Sequence, residues 1–388
     1  MKYWRGFLVA GILAAITLGL QLLAKQYYQI VDMFYPYLTR EIQTFLAQWT
    51  GAVDFTVWQV LAMLILVVLM VTVVLMIVLK WNLFQWLGWV LSIASCVWLL
   101  HTGIWGLNYY ASPLSDDIRM DSYDFTVDDM EDATIYFLSQ ANTLALELPR
   151  DENGNLACGS FQELAEAAGQ GFESLTYSTS PVFGGCTEPV KQLQWADMYT
   201  AMGITGVTFP LTGEAAVNPQ MPSVAMPFTM CHEMAHRMCI ATEDDANFAA
   251  FLACRENENP YFRYAGYYMA YRYCYSALLS DGSAEAVAAA ARINLQANTY
   301  LRYDLKCYDN FFSKHKNETL TTVANTVNDT FIKVSGDEAG TASYSQVSIL
   351  LFNWYIEEMV MPYVEEDDAT GFDPMDKDYI GGILEGIG

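Results

Sequence analysis

Three long apolar stretches dominate the first 110 residues. They cover residues 7–24, 55–79 and 83–107, and the second contains only one strongly polar side chain, Gln59. A helix of about 20 apolar residues spans the hydrocarbon core of a bilayer. The pattern therefore predicts three transmembrane helices. We interpret the first as a retained anchor, because no small-residue cleavage site follows it.

The few cations near these stretches predict their orientation. Lys2 and Arg5 precede the first stretch, and Lys80 lies in the short turn between the second and third. Lys25 and Arg40 lie in the segment that joins the first two stretches, which we interpret as a loop. The positive-inside rule then places the N-terminus and Lys80 in the cytoplasm. Three crossings leave everything after about residue 110 on the extracytoplasmic side.

Beyond residue 110 the hydrophobic spacing is mostly helical. Residues 127–148 form a typical amphipathic helix pattern, with acids in the first turn. Further helices are predicted near residues 160–175, 226–240, 243–254, 260–275, 283–312, 323–334 and 343–361. Residues 203–218 are rich in β-branched residues and glycine, and they predict a short β-hairpin or paired extended segments.

The predicted fold is therefore mainly α. Residues 1–110 form a membrane domain with three transmembrane helices, and residues 111–364 form a mostly helical extracytoplasmic domain with a hairpin or small sheet. Residues 365–388 form an acidic C-terminal tail. A multi-pass cell-membrane protein is the predicted location, and the lipid bilayer is its first partner.

Charge excludes one class of partner. The chain has 44 Asp and Glu against 19 Lys and Arg, and residues after 110 hold 41 of these acids and 14 of these bases, a net charge of −27. Nucleic acid phosphates require Lys and Arg, so no nucleic acid partner is expected. The charge also disfavours adsorption to anionic headgroups. Solubility through self-repulsion explains it more simply.

Eight cysteines are present, seven of them after residue 110. An extracytoplasmic location permits disulfides, and Cys158 with Cys186 is the pair to test first. No CxxC pair occurs, which argues against a cysteine zinc site.

The chemistry is concentrated in the sequence His232-Glu233-Met234-Ala235-His236. Histidines four apart lie on one face of a helix, where both imidazoles can bind one Zn²⁺. Glu233 then lies beside the metal, where it can accept a proton from bound water. Only four histidines occur in the chain, and two are in this motif. The competing interpretation is an ordinary buried helix whose histidines are satisfied by hydrogen bonds.

A third ligand is expected just after this helix. Thr242 resembles an N-cap, and three acids follow it, so the helix should end near Ile240 and a new one begin near Glu243. In one unbroken helix Glu243 would lie about 10 Å along the axis from His236. With a break, Glu243 is the predicted ligand and Asp245 the second choice. Alternatively, the acids only cap the helix.

Two further features bear on function. The predicted hairpin near the motif is either an edge that pairs with a substrate backbone or a purely structural element. Tyr261, Tyr344 or another distal side chain could assist catalysis, but the sequence selects none of them.

Several segments resemble a bacterial family of uncharacterised membrane proteins with three N-terminal spans and an external H-E-x-x-H domain. They are Trp105-Gly-Leu-Asn-Tyr, Gly203-Ile-Thr-Gly, Phe209-Pro-Leu-Thr-Gly-Glu-Ala, Pro227-Phe-Thr-Met-Cys-His-Glu-Met-Ala-His, Glu243-Asp-Asp-Ala-Asn-Phe, Pro260-Tyr-Phe-Arg-Tyr and Val327-Asn-Asp.

This resemblance implies a zincin-like fold of the gluzincin type. The segment from Glu243 to Asn247 also resembles the E-x-x-A-D segment of membrane-embedded gluzincins such as the prenyl-protein proteases, in which the first glutamate binds zinc. Two positions depart from the pattern. Cys239 stands where glycine is expected in the turn of the uncharacterised family, and Asn247 replaces the aspartate of the better-known peptidases.

The resulting hypothesis is a membrane-anchored zinc metallopeptidase that hydrolyses peptide or protein substrates outside the cell. His232, His236 and Glu243 hold Zn²⁺, and Glu233 is the general base. The alternatives are a non-catalytic zinc-binding sensor and a structural membrane protein without metal.

Overall fold

The computed structural model describes residues 4–336 and 346–362, and this part of the chain is mainly helical. Tyr344 and the predicted tail at 365–388 lie outside the described residues. The helices are α1 (Arg5–Gln26), α2 (Tyr28–Gly51), α3 (Val57–Val78), α4 (Leu83–Ile104), α5 (Leu114–Asp117), α6 (Val127–Glu147), α7 (Phe161–Ala167), α8 (Gln170–Ser178), α9 (Ala196–Met202), α10 (Met226–Arg237), α11 (Glu243–Glu256), α12 (Pro260–Asp281), α13 (Ala284–Gln296), α14 (Thr299–His315), α15 (Glu318–Ser335) and α16 (Val347–Tyr355).

Three of these helices are long and apolar enough to cross a membrane. They are α1, α3 and α4, each of 22 residues, as the hydropathy pattern predicts. Helices α1 and α4 pack closely, because Gly6 lies against the backbone of Gly88 and Ser92 Oγ donates to the Gly6 carbonyl at 2.7 Å. Helix α3 instead exposes almost all of its apolar surface. The three helices are compatible with membrane association.

The interpretation of residues 25–54 as a loop is wrong. They contain the 24-residue helix α2, whose buried face is partly polar. Arg40 Nε donates to the Met238 carbonyl at 3.2 Å, and Gln43 Nε2 donates to the Pro210 carbonyl at 3.1 Å. The hydropathy pattern does not indicate this helix, because its buried face carries polar side chains that donate to loop carbonyls and its exposed face is largely aromatic.

The part of the chain after residue 110 shares one large hydrophobic core. Helix α6 begins as predicted, with a capping box between Thr126 and Asp129, and packs against α12. The buried helix α11 lies at the centre and contacts α8, α10, α12 and α16. The predicted single helix at 160–175 is divided into α7 and α8, and Gly171 at the start of α8 lies against the Ala253 backbone, where a Cβ would not fit.

A small mixed sheet lies beside α10. Its strands are β1 (Lys191–Gln192), β2 (Gly206–Phe209) and β3 (Glu214–Val217), in the order β1-β3-β2. Strands β2 and β3 form the predicted antiparallel hairpin, and β1 pairs with β3 in parallel. All four residues of β3 are buried, whereas β2 is an edge strand of this sheet.

All eight cysteines are free, so the suggested Cys158–Cys186 disulfide is not formed. Cys186 is buried, and Cys158 is partly exposed. The sulfur atoms of Cys231 and Cys254 lie 3.7 Å apart between α10 and α11.

Candidate metal centre

Helix α10 presents the two motif histidines on one face. The helix begins at Met226, with Pro227 in its first turn. The imidazole rings of His232 and His236 follow one turn apart, with their centroids separated by 4.6 Å. Their side chains retain 13% and 11% of their exposure, which leaves the ring edges accessible.

The chain breaks between α10 and α11, as the acids after Thr242 predict. Cys239 has a φ of +71°, in the left-handed region, and Thr242 is extended before α11 begins at Glu243. Thr242 holds the N-cap position, but its side chain caps no backbone amide. This turn brings Glu243 Oε2 to 3.3 Å from His232 Nε2 and 3.5 Å from His236 Nε2.

Asp245, the second choice for a ligand, lies apart from this cluster. Its Oδ2 accepts a hydrogen bond from the Leu114 amide at 3.2 Å. Among the described residues, His232, His236 and Glu243 form the one group of three or more metal-ligating side chains, with ligand atoms within 4.8 Å of one another. Metal binding itself stays a prediction.

The geometry of the donors fits a divalent cation. His236 Nδ1 lies 2.9 Å from the Ile240 carbonyl, so Nδ1 carries a proton and Nε2, which faces Glu243, is the nitrogen available to a metal. Glu243 Oε2 is buried without a hydrogen-bond partner of good geometry in the described chain. Two imidazoles and a carboxylate are also a known donor set for catalytic zinc.

The same groups attract positive charge strongly. Burial alone would raise the pKa of Glu243, but the charge of His236 and contacts from both imidazoles hold it well below its usual range. Burial alone would lower the pKa of His236, but Glu243 raises it to about 9. A metal ion bound between them would replace the proton that the ligands otherwise share.

Glu233 is held beside this cluster by strand β2. Thr208 Oγ1 lies 2.7 Å from Glu233 Oε2 and 2.8 Å from the Glu233 carbonyl. Gly206 gives the carboxylate room, because a Cβ at that position would lie 2.3 Å from Glu233 Oε1. Burial raises the pKa of Glu233, although both histidines and Thr208 counteract the shift. A raised pKa suits a group that must both accept and return a proton.

Two further residues, which the sequence did not indicate for this site, contact the elements that carry it. Trp105, at the end of α4, donates from Nε1 to the His236 carbonyl at 2.9 Å. Tyr273 donates to Asn247 Oδ1 at 3.1 Å, and its pKa is raised by burial, by Tyr308 and by Glu243. Trp105 lies in one of the segments that resemble the family, but nothing local in the sequence links it to His236 or links Tyr273, on the next helix α12, to Asn247.

Tyr261, named above as a possible assistant, is engaged elsewhere. Its hydroxyl donates to the Ala157 carbonyl at 2.8 Å. The charge of Glu243 contributes to the raised pKa of Tyr273, after burial and Tyr308.

Comparison with known proteins yields a family model described as "Protein of unknown function (DUF3810)", which matches residues 32–352. No curated protein and no solved structure matches the chain. The matched region includes most of α2, all of α3 and α4, and the whole candidate metal centre. The chain therefore belongs to the DUF3810 family.

Proposed function

We propose that this protein is a membrane-anchored zinc metallopeptidase with a zincin-like site of the gluzincin type. His232, His236 and Glu243 hold the metal, and Glu233 is the general base. The observation that carries the proposal is the convergence of three ligand atoms within 4.8 Å across the break between α10 and α11. A fourth, open position for water is typical of catalytic zinc sites.

Zinc bound there supplies a Lewis acid that activates water and polarises the scissile carbonyl. Glu233 accepts the proton of the attacking water and returns it to the leaving amine nitrogen. Thr208 keeps the Glu233 carboxylate in place through its hydrogen bond of 2.7 Å. Burial of Glu233 disfavours its charged form and so promotes the return of the proton.

Strand β2 supports a peptide as the substrate. It is an edge strand of the three-stranded sheet, and its four residues are partly exposed. An extended peptide can add to such an edge through backbone hydrogen bonds. Thr208 lies in this strand, so a peptide paired there would pass beside Glu233.

We also propose that the metal centre faces the extracytoplasmic side. Helices α1, α3 and α4 each have the length of a membrane span, and three crossings would leave Arg5, at the start of α1, on the side opposite to the metal centre. The positive-inside rule assigns that basic side to the cytoplasm.

The test is elemental analysis of the purified full chain, combined with digestion of a broad peptide library. We expect one zinc per wild-type chain, zinc loss in His236→Ala, and retained zinc without cleavage in Glu233→Gln. His315→Ala is the matched control, because His315 is an exposed histidine on α14. Equal zinc content in wild type and His236→Ala would refute the site.

The same measurements separate the two alternatives. A zinc-binding sensor would retain zinc, cleave nothing and be unaffected by Glu233→Gln. A structural membrane protein would contain no zinc in any variant.

A further inference from the structure

Helix α15 carries an exposed apolar stripe. The side chains recur at spacings of three and four residues, and each is 43–63% exposed. They are Leu320, Val323, Val327, Phe331 and Val334. Ile332 and Ser335 are buried on a different face. Such a continuous apolar face normally requires a partner surface.

Both ends of α15 are attached near the ends of the predicted membrane spans α1, α3 and α4. At its C-terminal end, Gln21 of α1 donates to the Val334 carbonyl at 3.0 Å, and the Phe331 ring lies 5.2 Å from that of His101 in α4. Near its N-terminal end, the Asn317 amide donates to Ala201 in α9 at 2.9 Å. Helix α9 also contacts the first turn of α3, because Gln59 Nε2 lies 3.1 Å from the Tyr199 hydroxyl.

These span ends lie on one side of the membrane. If α1, α3 and α4 each cross, α2 joins the end of α1 to the start of α3 on a single side. The tight turn between α3 and α4 lies on the other side, so α4 ends on the same side as α2. Helix α15 therefore connects three points at the same membrane surface.

Helix α2 has a comparable exposed face. Its apolar members are 52–76% exposed, and they are Met33, Phe34, Tyr37, Leu38, Phe45 and Trp49. Tyr and Trp favour the layer between hydrocarbon and water. The opposite face of α2 binds the domain that carries the metal centre, through Arg40 and Gln43.

We propose that the α15 stripe and the aromatic face of α2 lie in the interfacial layer of the bilayer and hold the metal centre at the membrane surface. The bilayer is the occupant because α15 contacts α1 and α4, and α2 contacts α1, and these two span-length helices expose apolar side chains of their own. The negative net charge after residue 110 does not prevent the α15 stripe from contacting the bilayer, since none of the stripe residues is charged. Amphipathic helices commonly lie in this way.

The metal centre is close to this surface. Phe331 contacts His101, the His101 ring lies 5.7 Å from that of Trp105, and Trp105 donates to the His236 carbonyl. Only two side chains therefore separate the α15 stripe from a predicted metal ligand.

Spin labelling of the full chain in phosphatidylcholine nanodiscs tests the proposal. A nitroxide is attached at Val327→Cys, on the stripe, or at Thr326→Cys, one residue away on a polar face. The background replaces Cys96, Cys158 and Cys307, the three cysteines that are not buried. Thermal unfolding of each labelled protein verifies that it is folded. Collision with oxygen reports the bilayer, and collision with a water-soluble nickel chelate reports water.

We expect the ratio of oxygen to nickel accessibility to be severalfold higher at 327 than at 326, and a label at Met33→Cys to resemble the one at 327. Equal ratios at 327 and 326 would overturn the proposal. Shielding of 327 from both reagents would overturn it too. Dipolar broadening relieved by unlabelled protein would then identify a second copy as the occupant, and no broadening would identify another segment of this chain. None of these readouts depends on zinc or on cleavage.

Discussion

At the scale of single residues, the position of Glu233 depends on the absence of a side chain at Gly206. The space for Glu233 Oε1 is the space that a Cβ would fill, at 2.3 Å. Gly206 does not have a positive φ, so alanine introduces no backbone strain there. Only the Glu233 side chain, from Cγ outward, has to move.

Gly206→Ala should therefore retain zinc but lose cleavage. We expect cleavage to fall about 100-fold, as for a catalytic group displaced by about 1 Å. Zinc content and peptide hydrolysis are measured on the same preparation. Gly103→Ala is the control, because a Cβ there meets no atom within 4 Å. Wild-type cleavage by Gly206→Ala would contradict the role assigned to Glu233.

The two departures from the family pattern have different structural outcomes. Cys239 adopts the left-handed conformation that favours glycine, with a φ of +71°, and its side chain packs near Trp105 and Ala241. The turn therefore forms without glycine, at a backbone cost of roughly 1 kcal/mol. Asn247 accepts a hydrogen bond from Tyr273 and lies outside the ligand cluster.

At the scale of elements, α2 supports the turn that delivers Glu243. Arg40 is buried, and its guanidinium donates to the Met238 carbonyl from Nε and to the Pro181 carbonyl from another nitrogen, both at 3.2 Å. Met238 lies at the end of α10, directly before the left-handed residue Cys239.

Arg40→Ala should weaken both the fold and zinc binding. Loss of these hydrogen bonds should lower the free energy of unfolding by about 2 kcal/mol. Zinc affinity should fall with it, because the turn that positions Glu243 loses its support. Chemical denaturation and competition with a chromogenic chelator measure the two effects. Arg40→Lys should recover only part of either, since lysine lacks the planar fork. Unchanged zinc affinity in Arg40→Ala would show that the turn between α10 and α11 does not depend on Arg40.

The contact between α1 and α4 depends on glycine residues that let the two backbones approach closely. A Cβ at Gly6 would lie 2.4 Å from the Gly88 carbonyl carbon, whereas a Cβ at Gly11 in the same helix meets no atom within 4 Å. Close backbone approach through glycine is a general means of packing helices in membranes.

Gly6→Ala should destabilise the protein by about 1–3 kcal/mol through overpacking, and Gly11→Ala should not. Thermal unfolding of both variants in the same detergent provides the comparison. Equal melting temperatures for Gly6→Ala and wild type would contradict the close packing of α1 and α4.

At the scale of the whole molecule, the membrane segment and the metal-bearing part share polar contacts. Side chains before residue 111 donate to backbone carbonyls of residues after it, and these donors are Arg40, Gln43, Gln59 and Trp105. Glu214 of β3 in turn accepts from the first amides of α3, at 2.8 and 2.9 Å.

A chain comprising only residues 111–388 should therefore be less stable than the full protein. Removing the four donors leaves carbonyls around α10 and the sheet without partners, and each buried unsatisfied group costs about 1–3 kcal/mol. We expect a lower melting temperature and weaker zinc binding, measured by circular dichroism and chelator competition. Melting at the temperature of the full chain would establish residue 110 as a true domain boundary.

Local sequence patterns were sufficient to predict several elements of the structure. Three apolar runs predicted α1, α3 and α4, and the β-branched segment predicted the hairpin of β2 and β3. The acids after Thr242 predicted the helix break that brings Glu243 to the histidines. Each of these signals lies within about 25 residues, where helix periodicity, apolar length and capping act directly.

Contacts between distant segments could not be predicted in this way. Helix α2 has a polar inward face because carbonyls near Met238 and Pro210 meet it, and these residues lie far along the chain. Thr208 contacts Glu233, Trp105 contacts the His236 carbonyl and Tyr273 contacts Asn247, each from a separate element. A polar side chain is stabilised in a buried site only by a partner that folding brings to it, and a single sequence carries no local mark of that partner.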